Sequence, residues 1–152
     1  GELLCRSPAI MAGYHRQPDL TAEVVVNGWL HTGDIVRVDE DLNVFFLDRR
    51  KDIIKTGGMN VSSAEVEDVL RHHPMVNDAA VVGCPDPEWS EIVCAFVEMV
   101  DGTTWEEESI RNYCSDQLAP YKRPKIYETV DSLPTDDQGK VRKRELRARL
   151  LD

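Results

Sequence analysis

The sequence predicts an α+β fold: a small C-terminal domain with a short central sheet flanked by helices, preceded by a β-rich piece. Three observations carry this. Short apolar runs bounded by turn residues fill residues 1–50, as strands do. From residue 51 onward, strand-like runs alternate with segments of helical spacing that begin at capping signals. Between the two, Asp48-Arg49-Arg50-Lys51-Asp52 breaks the apolar pattern with an unbroken run of charge. The boundary falls there, giving pieces 1–50 and 51–152.

The elements follow in order. GELLC, from Gly1, reads as a strand. Around residues 24–30 two readings stay open: Val24-Val25-Val26, Asn27-Gly28 and Trp29-Leu30 fit a hairpin, and a short helix starting near Asp19 is the rival. Thr32-Gly33-Asp34, taken alone, reads as a turn. Ile35, Val36 and Val38, then residues 44–47, predict two strands joined at Asp39-Glu40-Asp41. Ile53-Ile54 suggest a short strand, and Gly57-Gly58 a turn. Ser62-x-x-Glu65 is a capping box for a helix with Val66, Val69 and Leu70 on one face. His73-Pro74 ends that helix, because the residue before proline is pushed out of the helical region. Residues 79–82 and 92–100 read as central strands separated by the Pro85-Asp86-Pro87 loop. Thr104-x-x-Glu107 predicts a second helix ending before Pro120. A third helix spans about 143–151, with Gly139-Lys140 at its basic start.

Composition narrows the function. The chain is 41% apolar and 30% charged, the balance of a globular protein rather than a disordered one. No apolar run reaches the roughly 18 residues of a membrane span and no signal-peptide pattern opens the chain, so a cytoplasmic location is expected. Cys5, Cys84, Cys94 and Cys114 lack C-x-x-C pairing and matching histidines, which points to plain thiols and no metal site. The net charge of −10 is uneven: nine basic residues face six acidic ones from Pro120 onward, against nine and twenty-two before it. Nucleic-acid binding by the whole chain is disfavoured, while the C-terminal end can receive a phosphate.

Taken singly, the motifs are weak. Gly57-Gly58 does not fit a P-loop, which requires G-x-x-x-x-G-K-[ST] after a strand. Their order is more specific: GELLCRSPAIMAGYHRQPDLT, GWLHTGD, DRRKDIIKTGGMNVSSAEVE, LAPYKRPK and LPTDDQGKVRKREL follow one another through nearly all of the chain. In this the sequence closely resembles the C-terminal portion of the adenylate-forming (AMP-binding) enzymes, the superfamily of acyl-CoA and aryl-CoA synthetases, peptide-synthetase adenylation domains and firefly luciferase. The Tyr121-Lys122-Arg123-Pro124-Lys125 form looks most like an acyl-CoA or aryl-CoA ligase.

The resemblance implies ATP, Mg2+ and coenzyme A as cofactors and a carboxylic acid as substrate. The acid is joined to AMP with loss of pyrophosphate, then passed to the CoA thiol with release of AMP. It implies that residues 1–50 end the large AMP-binding domain and 51–152 form the small mobile domain, with a hinge near Lys51. Asp34 matches the ribose-binding position and Arg49 a second nucleotide contact. Lys140 matches the lysine of adenylate formation, where a compact ammonium can bridge carboxylate and phosphate oxygens. Gly58 belongs to the loop presented to the adenylate, and Lys55 matches a lysine that some members use in the second half-reaction. Tyr121, Arg123 and Lys125 resemble positions that meet coenzyme A, a ring for adenine and cations for phosphates. Ser62-Ser63 depart from the Tyr-Pro often found there. The phosphate loop, the acid pocket and the magnesium-contacting acid belong upstream, so the chain is expected to be a fragment without pyrophosphate exchange of its own. Competing expectations are a peptide-synthetase-like domain loading a carrier protein, a luciferase-like oxygenase, and a non-catalytic nucleic-acid-binding module.

Overall fold

The computed structural model describes residues 1–150 and divides into two compact units, Gly1–Lys51 and a second beginning at Asp52. The first is built on one sheet. Strand β1 (Glu2–Cys5) leads through a long loop to helix α1 (Pro18–Val24), whose first position is taken by the proline that tolerates it. Strands β2 (Val25–Val26) and β3 (Trp29–Val38) form a hairpin through Asn27 and Gly28, at φ 52° and 78°, the left-handed pair that a tight turn between twisted strands requires. Helix and hairpin, alternatives by sequence, are therefore both present, one ending where the other starts. Strand β4 (Val44–Arg49) pairs antiparallel with β3.

Thr32-Gly33-Asp34 is not a turn but lies within β3. Glu2 pairs with Ile35 and Leu4 with His31, so three residues of β3 stand opposite Leu3 alone. Gly33 absorbs this bulge at φ 74°, which a residue with a Cβ adopts only with strain. Val44, Phe45, Phe46 and Leu47 are all exposed, so both faces of β4 present apolar side chains.

The second unit holds a five-stranded sheet. A 3-10 turn at Arg50–Asp52 enters strand β5 (Ile54–Thr56), which folds back through Gly57-Gly58 onto strand β6 (Met59–Val61). Ser62 caps helix α2 (Ser63–Arg71), its hydroxyl accepting from the Glu65 amide at 3.2 Å. Strands β7 (Val76–Asp86) and β8 (Ser90–Met99) form a long antiparallel hairpin. Pro85 and Asp86 belong to β7 rather than to the predicted loop, and the reversal is made by residues 87–89, with the Asp86 carboxylate accepting from the Glu88 and Trp89 amides.

Helix α3 (Glu107–Gln117) starts two residues later than expected: Glu106 rather than Thr104 is its N-cap, while the Thr103 hydroxyl donates to the Val100 carbonyl. The chain then returns in strand β9 (Ile126–Val130), which pairs parallel with β8 and was not foreseen. Helix α4 (Lys143–Arg149) closes the described chain, and Leu151 of the expected third helix lies outside the described residues.

Helices cover the sheet on both faces. Val93, Ala95 and Val97 alternate along β8 toward a core with Val66 and Leu70 of α2 and Ile110 and Cys114 of α3. Cys94 and Phe96 point the other way, into a core completed by Leu146 of α4. Burial on both faces explains why these strands read as continuous apolar runs. Among the described residues no helix is long and apolar enough to cross a membrane, and the cysteines are free thiols.

Candidate functional site

In the first unit, β3 and β4 place Asp34 opposite Arg49 in register. Arg49 Nε lies 2.9 Å from Asp34 Oδ1. The contact is an ion pair rather than an aligned hydrogen bond, and Oδ1, although covered, accepts none. A carboxylate oxygen of this kind is a ready acceptor for hydroxyl groups. The adjoining cleft, about 490 Å3, is lined by Glu2, Glu23, His31, Gly33, Arg49 and Lys51, among others. Glu2 accepts from His31 Nδ1 at 3.2 Å and from the Gly33 amide at 3.2 Å, and these bonds, the histidine first, hold its carboxyl below the ordinary range. The bulge that brings the Gly33 amide to Glu2 thereby also sets the backbone beside Asp34.

In the second unit, the Gly57-Gly58 turn has φ 53° and 79°. Gly57 donates its amide to the Trp89 carbonyl at 2.9 Å, and a Cβ on Gly57 would stand 2.6 Å from the Trp89 ring. The indole therefore occupies the space that the missing side chain leaves. Lys125 Nζ lies 5.7 Å from the centroid of the same ring. Gly57, Trp89 and Lys125 thus form one continuous surface. Trp89 was missed by sequence reasoning: its signal was a solitary aromatic at the tip of the β7–β8 hairpin. Lys55 is exposed on β5, with its amide donating to Glu91 Oε2 at 2.7 Å.

Tyr121 is exposed in a 3-10 turn at Pro120–Lys122. Lys122 beside it pairs with Glu65 at 2.5 and 2.8 Å, tying this turn to α2. Arg123 faces inward with part of its guanidinium, donating to the carbonyls of Leu118 and Ser115 at 2.9 and 2.8 Å. It caps the C-terminal end of α3, where a cation is favoured, and three of its five donors remain.

Lys140 does not begin a helix. It sits at an exposed position of a small loop closed by the Thr135–Val141 bridge, ahead of α4. The Asp136 carboxylate shapes that loop, accepting from the Gln138 and Lys140 amides at 2.9 Å each, and these bonds, the Lys140 amide first, hold its pKa down. Gly139 completes the turn at φ 78°. Among the described residues no group of three or more His, Cys, Asp or Glu side chains is placed to hold a metal ion.

The chain thus combines a β-rich unit that carries a carboxylate and a guanidinium at a cleft with an α+β unit that carries a glycine turn and exposed cations. Residues 65–140 match the AMP-binding enzyme C-terminal domain, and the chain belongs to that family. It is 47% identical over 149 residues to the fatty acid–[acyl-carrier-protein] ligase ScoC of Streptomyces coeruleorubidus, covering 98% of this chain and 29% of that protein. It is 46% identical over 147 residues to the long-chain-fatty-acid–CoA ligase of Escherichia coli O157:H7, covering 97% and 26%. The o-succinylbenzoate CoA synthetase from Bacillus subtilis, solved with the acyl-adenylate intermediate OSB-AMP, superposes with a TM-score of 0.88 at 34% identity, over 100% of this chain and 30% of that one. The chain thus spans under a third of the length of these relatives.

Proposed function

We propose that this chain is the C-terminal part of an ATP-dependent carboxylic acid–CoA ligase. In this reading residues 1–50 end the large domain, and the rest is the small domain that turns about Lys51 between two half-reactions. The observation that carries it is the register pair Asp34–Arg49, whose Oδ1 accepts no hydrogen bond at the edge of a cleft.

The residues divide the work by their chemistry. Asp34 accepts the ribose 2′ and 3′ hydroxyls of ATP, and Arg49 donates to ribose or phosphate oxygens. As the acid's carboxylate oxygen bonds to the α-phosphorus and pyrophosphate leaves, Lys140 bridges the two anions and opposes the charge that builds between them. After rotation, the backbone at Gly58 approaches the adenylate closely, because no Cβ and no neighbouring side chain stands in the way there. The thiolate sulfur then bonds to the acyl carbon and the C–O bond to AMP breaks. Lys55 is held in reserve as a cation for this step. Tyr121, Arg123 and Lys125, with Trp89 beside Lys125, offer rings and cations to the nucleotide end of CoA. Magnesium, when bound to ATP, neutralises phosphate charge, and its contacts are assigned to the upstream part of the protein. ATP and CoA as substrates fit a cytoplasmic location.

A full-length preparation supplied with ATP, CoA and a panel of fatty and aryl acids should release AMP and form a thioester with at least one acid. Absence of AMP release across the panel would refute the reading. A second acceptor is favoured by the 47% identity to a ligase that acts on a carrier protein. Competition between free CoA and a phosphopantetheinylated carrier protein decides which thiol is used.

A further inference from the structure

We propose that Lys143 is a positioning residue for adenylate formation: its buried clamp on Glu67 and Ser63 fixes the base of the loop that presents Lys140. The proposal rests on the reading of Lys140 as the adenylation lysine.

Lys143 is the first residue of α4, a poor place for a cation, since the start of a helix carries the positive end of the backbone dipole. Its side chain is nonetheless turned inward and only 17% exposed, with Nζ 2.6 Å from Glu67 Oε1. The same ammonium donates to Ser63 Oγ at 2.7 Å. Glu67 is itself 10% exposed, and its Oε1 also accepts the Val81 amide of β7 at 2.8 Å, while Arg71 approaches Oε2 at 3.6 Å. Three elements, α2, β7 and α4, therefore meet on one carboxylate. Charges taken out of water in this way are stable only when fully paired, so the start of α4 has one favoured place.

The clamp reaches Lys140 through a backbone that is held at every step. The Arg142 amide donates to the Pro134 carbonyl at 2.8 Å, Val141 bridges Thr135, and the Lys140 amide and carbonyl both bond to Asp136. The loop thus has a shape of its own, set by Asp136, and a position, set by Lys143. Loss of the clamp leaves the shape and loosens the position, which Leu146 and Arg147 of α4 then hold from one side only. A displacement of about 1 Å at a reacting group costs on the order of 10²-fold in rate. No other step of the cycle uses Lys140, so the damage should be confined to adenylate formation.

The test uses the full-length enzyme with the acid that gives the wild type its highest rate. Adenylate formation is read by pyrophosphate release, and thioester formation from the supplied adenylate of the same acid. Lys143→Met is expected to lower kcat for adenylate formation by about 10²-fold, with KM for ATP and the thioester step unchanged. Lys143→Arg restores most of the rate, because a guanidinium can still span Glu67 and Ser63. Glu67→Gln, which keeps the volume and the Val81 bond, shifts adenylate formation in the same direction and decides the matter if Lys143→Met does not fold. Wild-type adenylation in Lys143→Met or Glu67→Gln, equal loss in both steps, or no rescue by arginine overturns the proposal. Lys140→Ala run in parallel separates the two ideas: a normal adenylation rate there refutes the role of Lys140 and the clamp with it. An impaired Lys140→Ala beside an unimpaired Lys143→Met refutes the clamp alone.

Discussion

Arg147 Nη2 donates to Asp52 Oδ1 at 3.0 Å, joining α4 to the residue that directly follows Lys51. Asp52 is buried, so its backbone is held with the second unit. The first torsions upstream of this anchor that remain at an exposed residue are those of Lys51. In the full-length enzyme, Lys51→Pro should therefore spare adenylate formation and lower thioester formation by about tenfold or more, because proline fixes φ and obstructs a swing. Thioester formation from supplied adenylate is the measurement, and an unchanged rate would place the hinge elsewhere.

Lys140→Ala tests the adenylation role. The lysine is exposed on a loop that Asp136 shapes through the backbone, so truncating its side chain should leave folding intact. Adenylate formation should fall about 10²–10³-fold, or about 3–4 kcal/mol. Thioester formation from supplied adenylate should persist, and equal loss in both steps would contradict the division of labour.

The two glycines of the β5–β6 turn should respond unequally to alanine. Both sit at positive φ, which costs a residue with a Cβ about 1–2 kcal/mol. Nothing lies within 4 Å of a Cβ on Gly58, whereas one on Gly57 would meet the Trp89 ring at 2.6 Å. Gly57→Ala must therefore displace the indole as well. Its melting temperature should fall further than that of Gly58→Ala, and equal shifts would show that the ring is not packed against the turn.

His73 should make the fold sensitive to mild acid. It is buried, its ring stands edge-on to Tyr113 at 5.1 Å, and Nδ1 accepts the Met75 amide, so the neutral form is the one that fits. Burial lowers its pKa below the ordinary value of about 6.5. Below that pH the unfolded chain binds a proton that the folded chain resists. Stability is thus fully present above about pH 6.5 and declines as pH falls toward the folded-state pKa, by up to about 1.4 kcal/mol per pH unit. Urea midpoints between pH 7.5 and 5 should drop less in His73→Gln than in the wild type, and parallel curves would exclude His73 as the source.

Local signals were legible, and relations between distant segments were not. Asn27-Gly28 and Ser62-x-x-Glu65 carry their geometry in adjacent residues, and the structure shows the turn and the cap there. Thr32-Gly33-Asp34 misled because a glycine at positive φ serves a turn or a bulge equally well, and only pairing with β1 decides. Strand β9 was missed because its partner, β8, lies beyond a whole helix, and five residues of alternation are a faint signal. The capping signal at Thr104 had a rival start at Glu106 that sequence spacing does not separate. At the candidate site, Asp34 and Arg49 could be named individually, but their cross-strand register could not. The link from Lys143 to Ser63 spans 80 positions and has no local signature at all.

Strand β4 has a consequence for handling the molecule. Val44, Phe45, Phe46 and Leu47 form an uncharged stretch whose side chains are open on both sides, and β3 is its paired neighbour. An exposed apolar run of this kind favours association between copies of the chain. Solutions of the chain by itself should turn cloudy or scatter light as concentration rises, and a charge at Phe46, the most exposed of the four at 58%, should delay that onset.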